Sequence, residues 1–391
     1  MKRLTILLFS MFILLSGCSA QTPDTDLLAV VTTDNLVGFV NLQGEYVVEP
    51  IYDTGYINSP ILLGLLSMNE NRAAVHKDGL WGYIDRYGDE VIALTYDQAL
   101  PFSEGLAPVA KDDKWGYINK QGELIIDYTF EAAYPFSDGL AKIIQNDQFG
   151  FINKDGIVVI EPIYTYAFPF ENGFARIVHN DLMGVINKDG LFVVEPIYDF
   201  IDAYEEGLAL TILDGKYGYL NKDGDLAISA NYSKAYAFSD GLALISDDHH
   251  VAYINKDGEE VISIDGVSGS FSEGRAIVQQ EEKLGFIDLE GNVVIPGDYL
   301  NAGDFHDGLA PAFKDNKWGY INKEGEEIIP FQFDGAYAFY DGHTIVLDDV
   351  NYRLIDKQGN ISENSFMGIN IVPFLGYSIG DYMSALDFYG N

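Results

Sequence analysis

Lys114-Trp115-Gly116-Tyr117-Ile118-Asn119-Lys120 and Lys317-Trp318-Gly319-Tyr320-Ile321-Asn322-Lys323 are the same seven residues written twice, far apart in one chain. Aligned on the large residue before glycine, the pattern recurs at Val37, Trp81, Trp115, Phe149, Met183, Tyr217, Val251, Leu284, Trp318 and Tyr352. After a first gap of 44, successive copies lie 34 residues apart, with one interval of 33 between Val251 and Leu284. A period held this strictly marks a tandem array of about ten units.

Each unit reads as three short extended segments. In Leu106-Ala107-Pro108-Val109-Ala110 the small and β-branched positions alternate, and their equivalents are Ala141 and Ile143, Ala175 and Ile177, Ala243 and Ile245. These should face a core. The position between them varies among Pro108, Lys142, Arg176 and Leu244, as expected of a wetter face. The second segment is the Trp-Gly-Tyr-Ile-Asn stretch, and glycine inside a strand marks close approach of another backbone or ring. Asp155-Gly156, Asp189-Gly190, Asp223-Gly224 and Asp257-Gly258 then supply tight hairpin turns. Third segments such as Val193-Val194-Glu195-Pro196 are closed by proline. Linkers such as Tyr134-Pro135-Phe136-Ser137-Asp138-Gly139 carry aromatic residues read as plugs between neighbours, because one 34-residue unit holds too small a core to fold alone.

The stretch from Val31 to Lys357 resembles the bacterial WG-repeat proteins, in which units of this length carry Trp-Gly, Tyr-Ile-Asn, a glycine turn and an apolar strand. The resemblance implies an all-β repeat fold that serves as an interaction surface, and implies little about chemistry. Val251-Ala252 and Tyr352-Arg353 depart from the pattern. The expected fold is therefore all-β, an open or curved β-solenoid of three-stranded units. The alternative is a closed β-propeller, whose blades usually take four strands and about 40–45 residues, in rings that rarely exceed eight blades.

Residues 1–17 read as a lipoprotein signal peptide, with Lys2 and Arg3 ahead of an apolar run too short to span a bilayer. Leu15-Ser16-Gly17-Cys18 resembles a lipobox, which implies lipidation at Cys18, the single cysteine, and an extracytoplasmic chain anchored to a bacterial membrane. Residues 18–30 form the lipidated N-terminus and tether, 31–357 the array, and 358–391 a C-terminal cap. An inserted apolar stretch, Ile61-Leu62-Leu63-Gly64-Leu65-Leu66, accounts for the first gap. Loss of Lys2 and Arg3 with the leader takes the formal charge from −37 to −39. Such acidity argues against nucleic acid as a partner and against lying flat on an anionic membrane.

The residues point to no catalytic centre. Neither a nucleophile elbow nor a phosphate loop occurs, and sixty acidic residues make carboxylate pairs uninformative. The six histidines are scattered apart from His249-His250, with no zinc-type spacing, and Asn221-Lys222-Asp223-Gly224-Asp225 lacks the acidic residues of an EF-type calcium loop. No cofactor or metal is expected. Trp81-Gly82, Trp115-Gly116 and Trp318-Gly319 read as structural positions, since their slot also accepts Val37, Met183 and Leu284. Any ligand site then belongs to positions that vary between copies. The function expected is a non-catalytic binding scaffold, for protein first and cell-wall glycan second, with an unrecognised hydrolase last.

Overall fold

The unit from Leu106 to Phe130 shows how the repeated residues make a sheet. An opening strand, Leu106–Lys111, runs antiparallel to a middle strand, Lys114–Asn119, and that to a closing strand, Leu124–Phe130. Asn119 nucleates the second turn. Its Oδ1 accepts the N–H groups of Gln121 and Glu123, both at 3.0 Å, and its Nδ2 donates to Glu123 Oε2 at 2.8 Å. An Asx side chain that stands in for backbone in this way stabilises a turn. Asn41, Asn187, Asn255 and Asn322 accept the same backbone N–H groups through Oδ1, and Asp85, Asp288 and Asp356 substitute for asparagine elsewhere.

The glycine after the large residue answers to a bulge. Trp115 faces Phe130, yet Tyr117 faces Ile126, so the closing strand carries extra residues between the two pairs. The bulge brings the Ile126 carbonyl onto the middle strand, where a Cβ on Gly116 would sit 2.5 Å from it. Gly82 and Gly319 are pinned in the same way, at 2.6 and 2.7 Å from the Ile92 and Ile329 carbonyls. Ala252 is the informative exception. In its unit Val251, Ala252 and Tyr253 pair in plain register with Ile264, Ser263 and Ile262, no bulge presses inward, and the methyl fits. The shortened closing strand goes with the single 33-residue interval.

The computed structural model describes residues 28–31, 36–54, 68–247, 250–264, 266, 268–366 and 368–369. The leader, Cys18, most of the tether, the Ile61–Leu66 insertion, His249 and the cap beyond residue 369 lie outside the described residues. The fold is all-β as expected, but it is the closed propeller and not the open solenoid. Two observations decide this. First, the linker adds a short fourth strand to most sheets, Gln98–Ala99 beside the opening strand Leu106–Lys111 for example, so that 34 residues suffice for a four-stranded blade. Second, the ends meet: Leu28–Val31 pairs with Gly368–Ile369, Asn364 Nδ2 donates to the Gly44 carbonyl at 2.9 Å, and Phe366 sits edge-on to Tyr46. Val30 and Val40 share a core with Ile345 and Leu354, which joins the first unit to the tenth. Among the described residues the ten units occupy nine sheets, since the first two are fused into one of seven strands through a single pair, Asp53 with His76.

Closure also removes the expected wet face. Ala107, Val109, Ala141 and Ile143 are fully buried, but so is the position between them: Lys142 is 2% exposed and Leu244 5%. In opening strands such as Leu106–Lys111 and Leu140–Gln145 both faces are buried. The joints are aromatic. Phe102, Phe136, Phe238 and Phe339 reach back from their linkers onto Tyr83, Tyr117, Tyr219 and Tyr320, with ring centroids 4.9–5.1 Å apart. The same tyrosines donate to linker carbonyls of the following unit, Tyr117 to Tyr134 and Tyr320 to Tyr337, both at 2.8 Å. Such ring pairs contribute about 0.5–1.5 kcal/mol each beyond area burial.

Two outcomes follow from these contacts. Gly116→Ala should lower stability by about 1–3 kcal/mol through overpacking against the Ile126 carbonyl, whereas Ala252→Gly should cost only about 0.5–1 kcal/mol of strand propensity; denaturant midpoints of the two variants compare them. Burial also raises the joint phenols, pushing Tyr253 and Tyr204 up to about 12 and Tyr117 well above the ordinary range. An unfolded chain ionises its tyrosines near pH 10. The stability these groups contribute is therefore complete below that pH and is lost as pH rises towards the folded values. Tyrosinate absorbance and loss of the near-ultraviolet dichroism should rise together above about pH 10.

Candidate interaction surface

A polar clamp accompanies each aromatic joint. In the linker before a unit, an acidic residue adopts a left-handed conformation, Glu104 at φ 54° and Asp138 at φ 53°. Its carboxylate accepts the N–H of a glycine in the next linker: Gly139 to Glu104 at 3.0 Å, Gly173 to Asp138 at 2.5 Å, Gly241 to Glu206 at 3.1 Å. A lysine from the next hairpin turn completes it, with Lys154 3.0 Å from Glu104, Lys188 2.6 Å from Asp138 and Lys256 3.0 Å from Glu206. Glu70 with Lys120 and Glu273 with Lys323 repeat the arrangement. The lysine ammonium and the glycine N–H hold Glu273 below the ordinary carboxylate range even though partial burial, the largest single influence on it, works in the opposite direction.

Against this regular background one joint stands apart, that between the unit of Phe174–Tyr198 and the unit of Leu208–Tyr232. The aromatic pair is replaced by Val185 and Tyr204, and the Tyr204 hydroxyl turns to the Asn221 carbonyl at 3.1 Å. Arg176 stands where Pro108 and Leu244 stand elsewhere. Its guanidinium lies 4.1 Å from the Phe168 ring and 3.6 Å from Asp202, a carboxylate only 7% exposed. The clamp acid is also changed: Asn172 occupies the position at φ 52°, at the clamp spacing of 35 residues from Gly207 and 50 from Lys222. One joint earlier, Lys142 is buried over the Tyr134, Phe149 and Tyr166 rings at 4.1, 5.1 and 5.0 Å. In a chain of formal charge −37 these neighbouring joints concentrate cations and aromatic rings.

The tryptophans are placed in packing slots. Trp81 is 6% exposed, beside His76 at 5.1 Å, while Trp115 and Trp318 are half-buried opposite Phe130 and Phe333. Gly82, Gly116 and Gly319 serve the bulge described above. His250 bonds Glu260 at 2.9 Å on the surface, and among the described residues no group of three or more His, Cys, Asp or Glu is arranged to hold a metal. The buried Lys142 and the half-buried Arg176 were legible in sequence as variable positions, but not as covered ones.

The repeat, its bulge glycine and its turn asparagine match a known family over most of the chain. The model of the WG-containing repeat covers residues 38–59, 81–115, 115–148, 149–182, 183–217, 217–248, 252–283, 285–318 and 318–349. The chain belongs to the WG-repeat family. No match is found among curated proteins. Similar solved structures include a eukaryotic initiation factor, at 10% identity and a TM-score of 0.44, covering 88% of this chain and 97% of that one. BamB from Moraxella catarrhalis is 11% identical with a TM-score of 0.32, covering 87% and 91%. Hsv2 from Kluyveromyces lactis is 10% identical with a TM-score of 0.31, covering 65% and 94%.

Lys142 tests how a buried cation among ring faces bears on the stability of this WG-repeat ring. Lys142→Met, which keeps the length, should change stability by less than about 1.5 kcal/mol, while Lys142→Glu should cost about 3 kcal/mol or more by burying an acid against ring faces. Thermal melts of the two variants separate the outcomes.

Proposed function

We propose that this WG-repeat propeller is a non-catalytic scaffold that binds protein, held outside a bacterial cell by a lipid on Cys18. The observation that supports the reading most is that five departures from the repeat, Val185, Tyr204, Arg176, Asp202 and Asn172, gather at one joint. These residues lie away from the seam and from the shortened unit of Ala252, where closure and the repeat interval account for the differences. The closing-strand edges support a lateral contact less well, because Pro162, Pro196 and the bulges blunt strand addition although Ile163 and Ile197 are 47% and 54% exposed.

The test is capture from envelope extract on immobilised chain lacking residues 1–18. Retention of protein that is lost with Arg176→Ala and Tyr204→Ala together supports the reading; retention of purified wall material alone overturns it in favour of a glycan. For the anchor, Cys18→Ser should abolish fatty-acid labelling and release the chain from membranes, and labelling that persists removes lipidation from the reading.

A further inference from the structure

We propose that the Asn172 joint is a receptor for a carboxylate supplied by the partner, built from the Gly207 N–H, the Lys222 ammonium and the Asn172 amide. The inference rests on the protein-binding reading above and names the chemistry of one contact in it. Its warrant lies inside the same molecule. Where a full clamp forms, a glycine N–H at 2.5–3.2 Å and a lysine Nζ within 4.0 Å converge on one carboxylate: Glu70, Glu104, Asp138, Glu206, Glu273 and Asp307. The two donors are thus placed by the repeat itself to take an anionic oxygen.

At this joint the repeat supplies both donors and withholds the acid. Gly207 is in the same left-handed turn, φ 94°, and Lys222 follows Asn221 as Lys154 follows Asn153. Among the described residues neither the Gly207 N–H nor the Lys222 ammonium has a bonding partner. Asn172 holds the acid's backbone conformation, yet it carries no charge and its amide can donate where Asp and Glu only accept. Asn172 and Lys222 are exposed and Gly207 is half-buried, so an incoming side chain can reach all three. The converse change also occurs in the ring. Asp240 keeps its glycine, Gly274 at 2.6 Å, but Leu289 takes the lysine position, so that joint lacks the clamp lysine that could meet a partner's acid.

An acidic side chain of a protein suits these donors better than a phosphate. The clamp geometry is that of a carboxylate held by one N–H and one ammonium, without the guanidinium fork or the several N–H groups a phosphate demands. It also suits a partner presenting an isolated acid on an otherwise basic or neutral surface, since the surrounding ring is strongly acidic.

The test uses the full chain in detergent micelles with N-acetylglutamate α-amide as a single-carboxylate probe, coupled by a water-soluble carbodiimide and read by peptide mass. Lys222 should carry probe about two- to fivefold above the exposed lysines Lys77 and Lys111, the enrichment of a weak surface ion pair. Asn172→Asp should remove that enrichment and yield instead an internal crosslink between Lys222 and the carboxylate introduced at position 172, with an unchanged or higher melting temperature showing that the variant folds. Equal labelling of Lys222 and the two reference lysines overturns the proposal. So does enrichment that survives Asn172→Asp. If Asn172→Asp still captures the protein partner with undiminished retention, the carboxylate contact falls and the scaffold reading stands.

Discussion

Everything in this ring depends on one constraint: no unit can bury its own aromatic residues. Tyr117 is fully buried only because Phe136 reaches back from the next linker and Tyr134 offers its carbonyl, and the same debt passes from unit to unit until Phe366 and Tyr46 meet at the seam. The polar clamp is the second layer of the same dependence, since each acid turns on a glycine and a lysine of its neighbour. Stability is therefore a property of joints. A blade is merely what stands between two of them.

Much of this architecture was legible in the residues, and the reasons are local. Period-two patterning, Asp-Gly turns and small inward positions act within a few residues, so Ala107, Val109, Ala141 and Ile143 could be assigned to a core at once. The linker phenylalanines were recognisable as plugs because nothing inside one unit could cover them. What escaped the sequence acts over longer distances. A two-residue strand such as Gln98–Ala99 carries too little pattern to announce itself, and without it a unit counts three strands and argues for a solenoid. Closure depends on contacts between residues near 30–46 and 361–369, which no single unit reveals.

The candidate site shows the same division. Lys142 and Arg176 were visible as variable, and variability suggested water; Lys142 is instead buried over three rings and Arg176 half-buried against Phe168 and Asp202. The clamp was hidden because its acid and glycine are 35 residues apart and its lysine 50, spacings that have meaning only after units are stacked. Once the stacking is known, Asn172 becomes the most informative residue in the linker series, since it is an absence in a row of acids.

Closure by the strand at Leu28–Val31 has a consequence for synthesis. The first unit to leave the ribosome exposes the face that the last unit will cover, and its partner residues are the final ones of the ring to be made. Until then the nascent ring is a crescent with two sticky ends, each an aromatic joint without its other half. A chain cut short upstream of the seam would leave Val40 and Tyr46 of the first unit without the residues that cover them in the closed ring.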